Sequence, residues 1–158
     1  LFADVVSRDV FSFVNSGKLS YPNIRFSGSG EIHKSHFPAL FGLKDRGVHL
    51  WGFSRSPKLA LELRSQGISV LFSCDATTPQ KTLSLAREGG LKLAYTSLGV
   101  HDAPPVEAFV VFPVHRSGRV REIVDSQNIC PKISQEFLNG RRKPASCQQV
   151  CTLCHSAI

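Results

Sequence analysis

Four sulfur- and nitrogen-bearing side chains near the end of the chain have the spacing of metal ligands. Cys147, Cys151, Cys154 and His155 form the string Cys-x3-Cys-x2-Cys-His. Zinc takes four thiolate or imidazole ligands in a tetrahedron, and a Cys-x2-Cys turn supplies two from one loop. Side chains at neighbouring positions such as 154 and 155 point apart, so Cys130 is a further candidate for the set. The same stretch contains the C-x-x-C-H string of covalent haem attachment; partly free thiols or a disulfide are the other uses open to it.

A fifth cysteine, Cys74, stands apart. It falls where an apolar run ends and a helix start is expected, in Cys74-Asp-Ala-Thr-Thr-Pro-Gln80. In a parallel α/β sheet that edge collects ligands and nucleophiles, and a helix N-terminus lowers a thiol pKa. The string is similar to the cysteine loop of rhodaneses and cysteine phosphatases, but Gln80 stands where a phosphatase carries its arginine. The alternative use of Cys74 is as a small buried residue closing a strand.

Glu31, His33 and His36 put one carboxylate and two imidazoles within six residues. Glu31 and His33 suit acid–base work if they share a cleft, and two histidines three apart can meet on a helix. A solvated polar loop is the plainer reading. Gly28 and Gly30 make no dinucleotide fingerprint, because the third glycine is missing.

Seven cations, Arg116, Arg119, Arg121, Lys132, Arg141, Arg142 and Lys143, lie within 28 positions. Lys and Arg neutralise phosphates and release counterions, which gives affinity for nucleic acid independent of base sequence. Only Phe112 and Phe137 are near enough in sequence to stack bases.

These groups need a scaffold. The apolar spacing of Val5, Val6, Val10, Phe11 and Val14 predicts a helix over Leu1 to Ser16. A short strand is predicted over Lys18 to Ile24, a loop over Phe26 to Gly30, and a helix over Glu31 to Leu43 that Pro38 shortens or breaks. Val48 to Phe53 reads as a strand. Ser56 then caps, Pro57 opens a helix, Leu59, Ala60 and Leu63 share one face, and Gly67 stops it. Ile68 to Phe72 is the next strand. The pattern recurs with Thr78, Pro79, the apolar set Leu83, Leu85 and Ala86, then Gly89-Gly90 and a strand over Leu91 to Tyr95. Two such units make a βαβαβ core, whose crossovers are right-handed and build a parallel sheet. After a linker over His101 to Pro105, a strand over Val106 to Val114 and a return over Val120 to Val124 predict a hairpin.

Residues 31 to 97 resemble the cytidine-deaminase-like fold in their order of helices and strands. Active zinc deaminases carry His-x-Glu and Pro-Cys-x-x-Cys on successive helices; here those places read Glu31-Ile-His33 and Ser54-Arg-Ser-Pro-Lys58. The resemblance therefore implies the scaffold without the deaminase zinc or its proton shuttle. Within it, Ser54-Arg55, Gly67-Ile-Ser-Val-Leu-Phe72 and Leu85-Ala-Arg-Glu-Gly-Gly-Leu-Lys-Leu93 are similar to the C-terminal part of the formate dehydrogenase accessory sulfurtransferase family. That family delivers sulfur to a molybdenum cofactor through a loop with paired cysteines, and no such pair occurs upstream here. The final Cys151-Thr-Leu-Cys-His-Ser-Ala-Ile158 also resembles the end of the plant organellar DYW deaminase motif.

Composition bounds the rest. The chain has 158 residues, 42% of them apolar, with 11 Phe spread along it, which excludes a disordered or collagen-like chain. No apolar run is long enough to span a bilayer. Asp4, Arg8 and Asp9 interrupt the first segment, so it is no signal peptide, and a start at Leu1 without any Met is expected of a processed or excised chain. An odd number of cysteines, four of them in the last 29 residues, points to an intracellular, reducing compartment, cytoplasm or organelle matrix. A net charge of +7 favours RNA, DNA, anionic lipid or an acidic protein as partner.

The sequence thus predicts an α/β domain over 1–128, with a parallel or mixed sheet, a βαβαβ core and a C-terminal hairpin. A basic, Cys-rich tail follows over 129–158. The leading expectation is a non-catalytic basic module that contacts RNA or a ribonucleoprotein partner, its tail stabilised by zinc. A thiol-dependent enzyme or sulfur carrier using Cys74, and a structural subunit facing an acidic protein, are the alternatives.

Overall fold

Each helix here hands the chain to a strand through the same device. In α3 (Pro57–Ser65) the Ser56 side chain accepts the Leu59 N–H at 3.4 Å, and Pro57 occupies the first turn, where its missing N–H costs nothing. Ala60 and Leu63 face inward and are fully buried. At the far end Gly67 takes φ +72°, a left-handed conformation that a side chain would strain. The Gly67 N–H then bonds the Arg64 carbonyl and the Ile68 N–H reaches back to Leu63 at 3.2 Å, which satisfies the open carbonyls and plunges Ile68 into the core. After α4 (Gln80–Glu88) the Gly90 and Leu91 N–H groups repeat the arrangement onto Arg87 and Ala86.

The computed structural model describes residues 2–19, 21–26, 31–97 and 102–113. The remaining elements are α1 (Phe2–Asn15), β1 (Asn23–Phe26), a 3₁₀ turn at Lys34–His36, α2 (Phe37–Lys44), β2 (His49–Ser54), β3 (Ser69–Cys74), β4 (Leu93–Ser97) and β5 (Ala108–Pro113). The five strands form one sheet in the order β1-β2-β3-β4-β5, every neighbouring pair parallel. The choice between a parallel and a mixed sheet is thereby settled for these strands as all-parallel. The βαβαβ core is β2-α3-β3-α4-β4, as the sequence predicts.

Sequential order has a consequence for layering. Right-handed crossovers that always step the same way put their helices on one face of the sheet. The main core accordingly joins Val10 of α1, Phe37, Leu40 and Leu43 of α2, Ala60 and Leu63 of α3 and Leu83 and Ala86 of α4 to Leu50, Val70, Phe72, Leu93 and Val111 of the strands. A second cluster, Leu71, Ala94 and Val110 with Phe53, Phe109 and Phe112, lies on the opposite strand faces and includes no residue of α1 to α4. Phe53 of β2 and Phe112 of β5 meet edge to face with centroids 5.7 Å apart. Three strand spacings separate those strands, roughly 14 Å in a flat sheet. The two side chains therefore lean toward each other across the intervening strands β3 and β4.

Some expected boundaries move. The first strand lies at Asn23–Phe26, not 18–24. The predicted helix over 31–43 is confined to Phe37–Lys44, because Pro38 is tolerated only in a first turn. Helix α4 starts at Gln80, one residue late; Thr78 does not cap it, since its hydroxyl accepts the Asp75 N–H at 2.9 Å. Leu85, expected inside, is exposed, and Val106, expected to open a strand, is fully exposed ahead of β5. The return strand over 120–124, the boundary near 128 and the tail lie outside the described residues. Among the described residues no helix is long and apolar enough to cross a membrane.

Candidate functional site at the carboxyl edge of the sheet

In parallel α/β sheets the loops leaving the carboxyl ends of the strands gather the polar groups, because strand backbones are satisfied within the sheet and loop backbones are not. Here the loops after β2, β3 and β4 do so. Asp75, directly after β3, is buried, with only 5% of its side chain exposed. Its Oδ1 accepts the Thr77 N–H at 2.9 Å and the Thr77 hydroxyl at 2.6 Å, the local turn that Asp followed by Thr favours. Its Oδ2 accepts Arg55 Nη2 at 2.6 Å, from the loop after β2. These donors, Thr77 first, hold the Asp75 carboxyl below its ordinary pKa against the opposing effect of burial. The Arg55 side chain itself stays 62% exposed.

A second carboxylate knits the same corner. Glu31 accepts the Ser54 hydroxyl at 2.8 Å and the Arg55 backbone N–H at 2.7 Å, and also its neighbour Ile32 N–H at 3.0 Å. Ser54 is the last residue of β2 and is buried. On the other side Tyr95, in β4, donates its hydroxyl to Asp102, and Ser97 donates to the Asp102 carbonyl at 3.4 Å. Burial, then the bond to Asp102, pushes the Tyr95 phenol above its usual pKa. The corner is thus a chain of carboxylates, each answered by hydroxyls, a guanidinium or backbone N–H groups.

Cys74 sits beneath this corner. It ends β3, as the sequence predicts, but only 1% of it is exposed and it joins the main core. Burial first, and the neighbouring Asp75 charge second, push its thiol up to about 11. That direction is opposite to the lowered pKa expected of a thiol at a helix start. The physical reason is burial in the core, joined by distance along the chain: five residues separate Cys74 from Gln80, and the neighbouring Asp75 adds negative charge. At neutral pH the thiol is protonated, the form that neither attacks carbon nor carries sulfur.

The other expected residues divide cleanly. Glu31 is brought to the edge, whereas His33 and His36 turn aside together, with rings 5.9 Å apart and the His33 N–H on His36 Nδ1 at 3.3 Å. Glu31 and His33 therefore share no acid–base pair through any described contact. Among the described residues no three His, Cys, Asp or Glu side chains gather as metal ligands. Arg116, Arg119, Arg121, Lys132, Arg141, Arg142, Lys143, Cys130, Cys147, Cys151, Cys154 and His155 lie outside the described residues. Sequence reasoning missed Arg55, Asp75, Thr77 and Asp102. The available signal was Asp75-x-Thr77-Thr78-Pro79 directly after a strand, a turn string whose carboxylate needs a cation once buried. No family model, curated protein or solved structure matches the chain.

Proposed function

We propose that the chain is a non-catalytic basic module that contacts RNA or a ribonucleoprotein partner through the cations of residues 116–143. The observation that carries this reading is where the charge lies. Residues 2 to 113 hold twelve Lys and Arg against nine Asp and Glu, and several of those cations are engaged. Arg46 bonds Asp4 at 2.6 Å, Arg55 bonds Asp75, Lys34 bonds Glu62 at 2.7 Å, and Arg87 bonds Glu107. Arg64 caps the Gly90 carbonyl at 2.5 Å. The exposed pairs among these, Arg46 with Asp4, Lys34 with Glu62 and Arg87 with Glu107, add little stability but flatten the local field. The 45 residues after 113 carry seven cations against three acids. Most of the net charge therefore follows the sheet in sequence.

The carboxyl edge supports the non-catalytic part of the reading. Its Asp75 carboxylate is held ionised by fixed donors, and its Cys74 thiol and Tyr95 phenol are held protonated, so these three groups are kept in one state across neutral pH. General acid–base catalysis instead wants a group poised near the working pH. Zinc would be held by Cys147, Cys151, Cys154 and His155, whose thiolate and imidazole donors suit it. The likeness of residues 31 to 97 to a cytidine-deaminase-like scaffold belongs to the same proposal and rests on the order α2-β2-α3-β3-α4-β4.

The test is a titration of the full chain with a single-stranded RNA oligonucleotide at low and at physiological salt. The proposal expects binding that weakens steeply as salt rises. Tight association with an acidic protein and none with RNA at low salt would replace it with the structural-subunit reading. Metal analysis tests the tail separately: one zinc per chain, lost on Cys151→Ser, is expected.

A further inference from the structure

Two histidines bracket the 3₁₀ turn that leads into α2, and one of their rings closes it. The His33 N–H donates to His36 Nδ1 at 3.3 Å, and the His36 N–H donates back to the His33 carbonyl at 3.0 Å. The ring accepts there only while neutral, with its proton on Nε2. Both histidines are exposed, so protons reach them freely. An imidazole changes charge between pH 5 and 8, and a protonated ring has no acceptor left. The charges around the turn add to this response. The two rings stand edge to face with centroids 5.9 Å apart. Lys34 lies between them in sequence, its ammonium paired with Glu62 of α3 at 2.7 Å. Helix α2, packed on the turn, carries only Lys44, at its far end. The Arg55 guanidinium, from the loop after β2, is turned to Asp75. Glu31 is the remaining carboxylate of the segment, and both its oxygens are engaged. Protonation of both rings would set His33, Lys34 and His36 together as cations, with Glu62 to answer them.

We propose that the His33–His36 turn is an acid-sensitive latch on the carboxyl edge of the sheet, closed while His36 is neutral and opened when it takes a proton. The lever is short. His33 is held extended, at φ −118° and ψ 154°, and Ile32 before it is buried. One residue further back, Glu31 closes the corner by accepting the Ser54 hydroxyl at 2.8 Å and the Arg55 N–H at 2.7 Å. A proton on His36 removes the acceptor of the His33 N–H and sets like charges against one another across the turn. The backbone at His33 is then released from its extended conformation. Glu31 loses the chain direction that aims its carboxylate at the loop between β2 and α3, and its hold on Arg55 loosens. This inference does not depend on RNA being the partner.

Proton–nitrogen correlation spectra of the full chain, recorded across the imidazole range, read the latch directly. The ring C–H signals of His33 and His36 follow their ionisation, and the Arg55 N–H reports the hold of Glu31. The Arg55 N–H should move upfield in step with the His36 ring as the pH is lowered. Its exchange with solvent, relative to an unstructured peptide at the same pH, should speed up several-fold. His36→Asn keeps a neutral side-chain acceptor at an exposed position and should leave the Arg55 N–H in place and slow to exchange over the whole range. An Arg55 N–H that stays put while His36 ionises in the natural chain would overturn the inference. So would an equal change in the His36→Asn chain, which would assign the response to direct protonation of Glu31 or Asp75.

Discussion

Asp75 concentrates the chemistry of the carboxyl edge, and its behaviour with pH follows from the donors around it. Its folded pKa is depressed, so the stability it contributes is complete above the ordinary carboxylate pKa and is lost as pH falls through the folded value. Asp75→Asn should cost about 1–3 kcal/mol at pH 7, the usual loss when a buried, charge-assisted hydrogen bond is broken. Urea midpoints of the two chains should converge as pH falls below the depressed folded pKa; a constant gap would show that the charge is not what matters. Cys74 has the opposite sign. Its thiol is pushed up to about 11, so its stabilising effect is complete below the ordinary thiol value, roughly 8.5, and fades as pH rises toward 11. Cys74→Ala should therefore lose less stability than the natural chain between those limits. At pH 8 the native thiol should react with iodoacetamide far more slowly than in urea, as mass spectrometry of the Cys74 peptide would read. Fast native labelling would restore Cys74 as a candidate nucleophile.

At the scale of elements, the sheet's tightest constraint is Gly52. A Cβ there would lie 2.6 to 2.8 Å from the Phe26 ring and the Phe26 carbonyl oxygen, where backbone as well as side chain would have to move. Gly52→Ala should destabilise by roughly 1–3 kcal/mol, the usual range for overpacking. Ser56→Ala should cost about 1 kcal/mol through the lost cap, read as a shift in denaturant midpoint with unchanged slope. Those two helix–strand units were legible because their signals are local: Ser56-Pro57 and Gly67 at one, Pro79 and Gly90 at the other. The displaced elements lacked such local signals. Lys18 to Phe26 has weak alternation, so only pairing with β2 fixes the strand at Asn23–Phe26. Thr78 has the residue type of a cap, and nothing in its neighbours shows that Asp75 captures its hydroxyl. The partnership of Arg55 with Asp75 joins positions 20 apart and becomes visible only when β2 and β3 lie side by side. The meeting of Phe53 with Phe112 was illegible for the same reason, since strand order and not spacing brings them together.

In the whole molecule, a parallel sheet with helices on one face is followed by a basic continuation of the chain. The field of the described residues is moderated by pairs such as Arg46 with Asp4 and Arg87 with Glu107, whereas the following 45 residues hold seven of the 19 cations. Electrostatic contact with a polyanion has a signature that packing contacts lack. Each phosphate neutralised on a single strand adds roughly 0.7 to the slope of log affinity against log salt. The decisive measurement is that slope for a single-stranded RNA, taken on the natural chain and on the triple variant Arg141→Ala, Arg142→Ala, Lys143→Ala. A steep slope in the natural chain, reduced by up to roughly 2 in the variant, is expected. Equal slopes and equal affinities in the two chains, or no binding by the natural chain at low salt, would contradict the account.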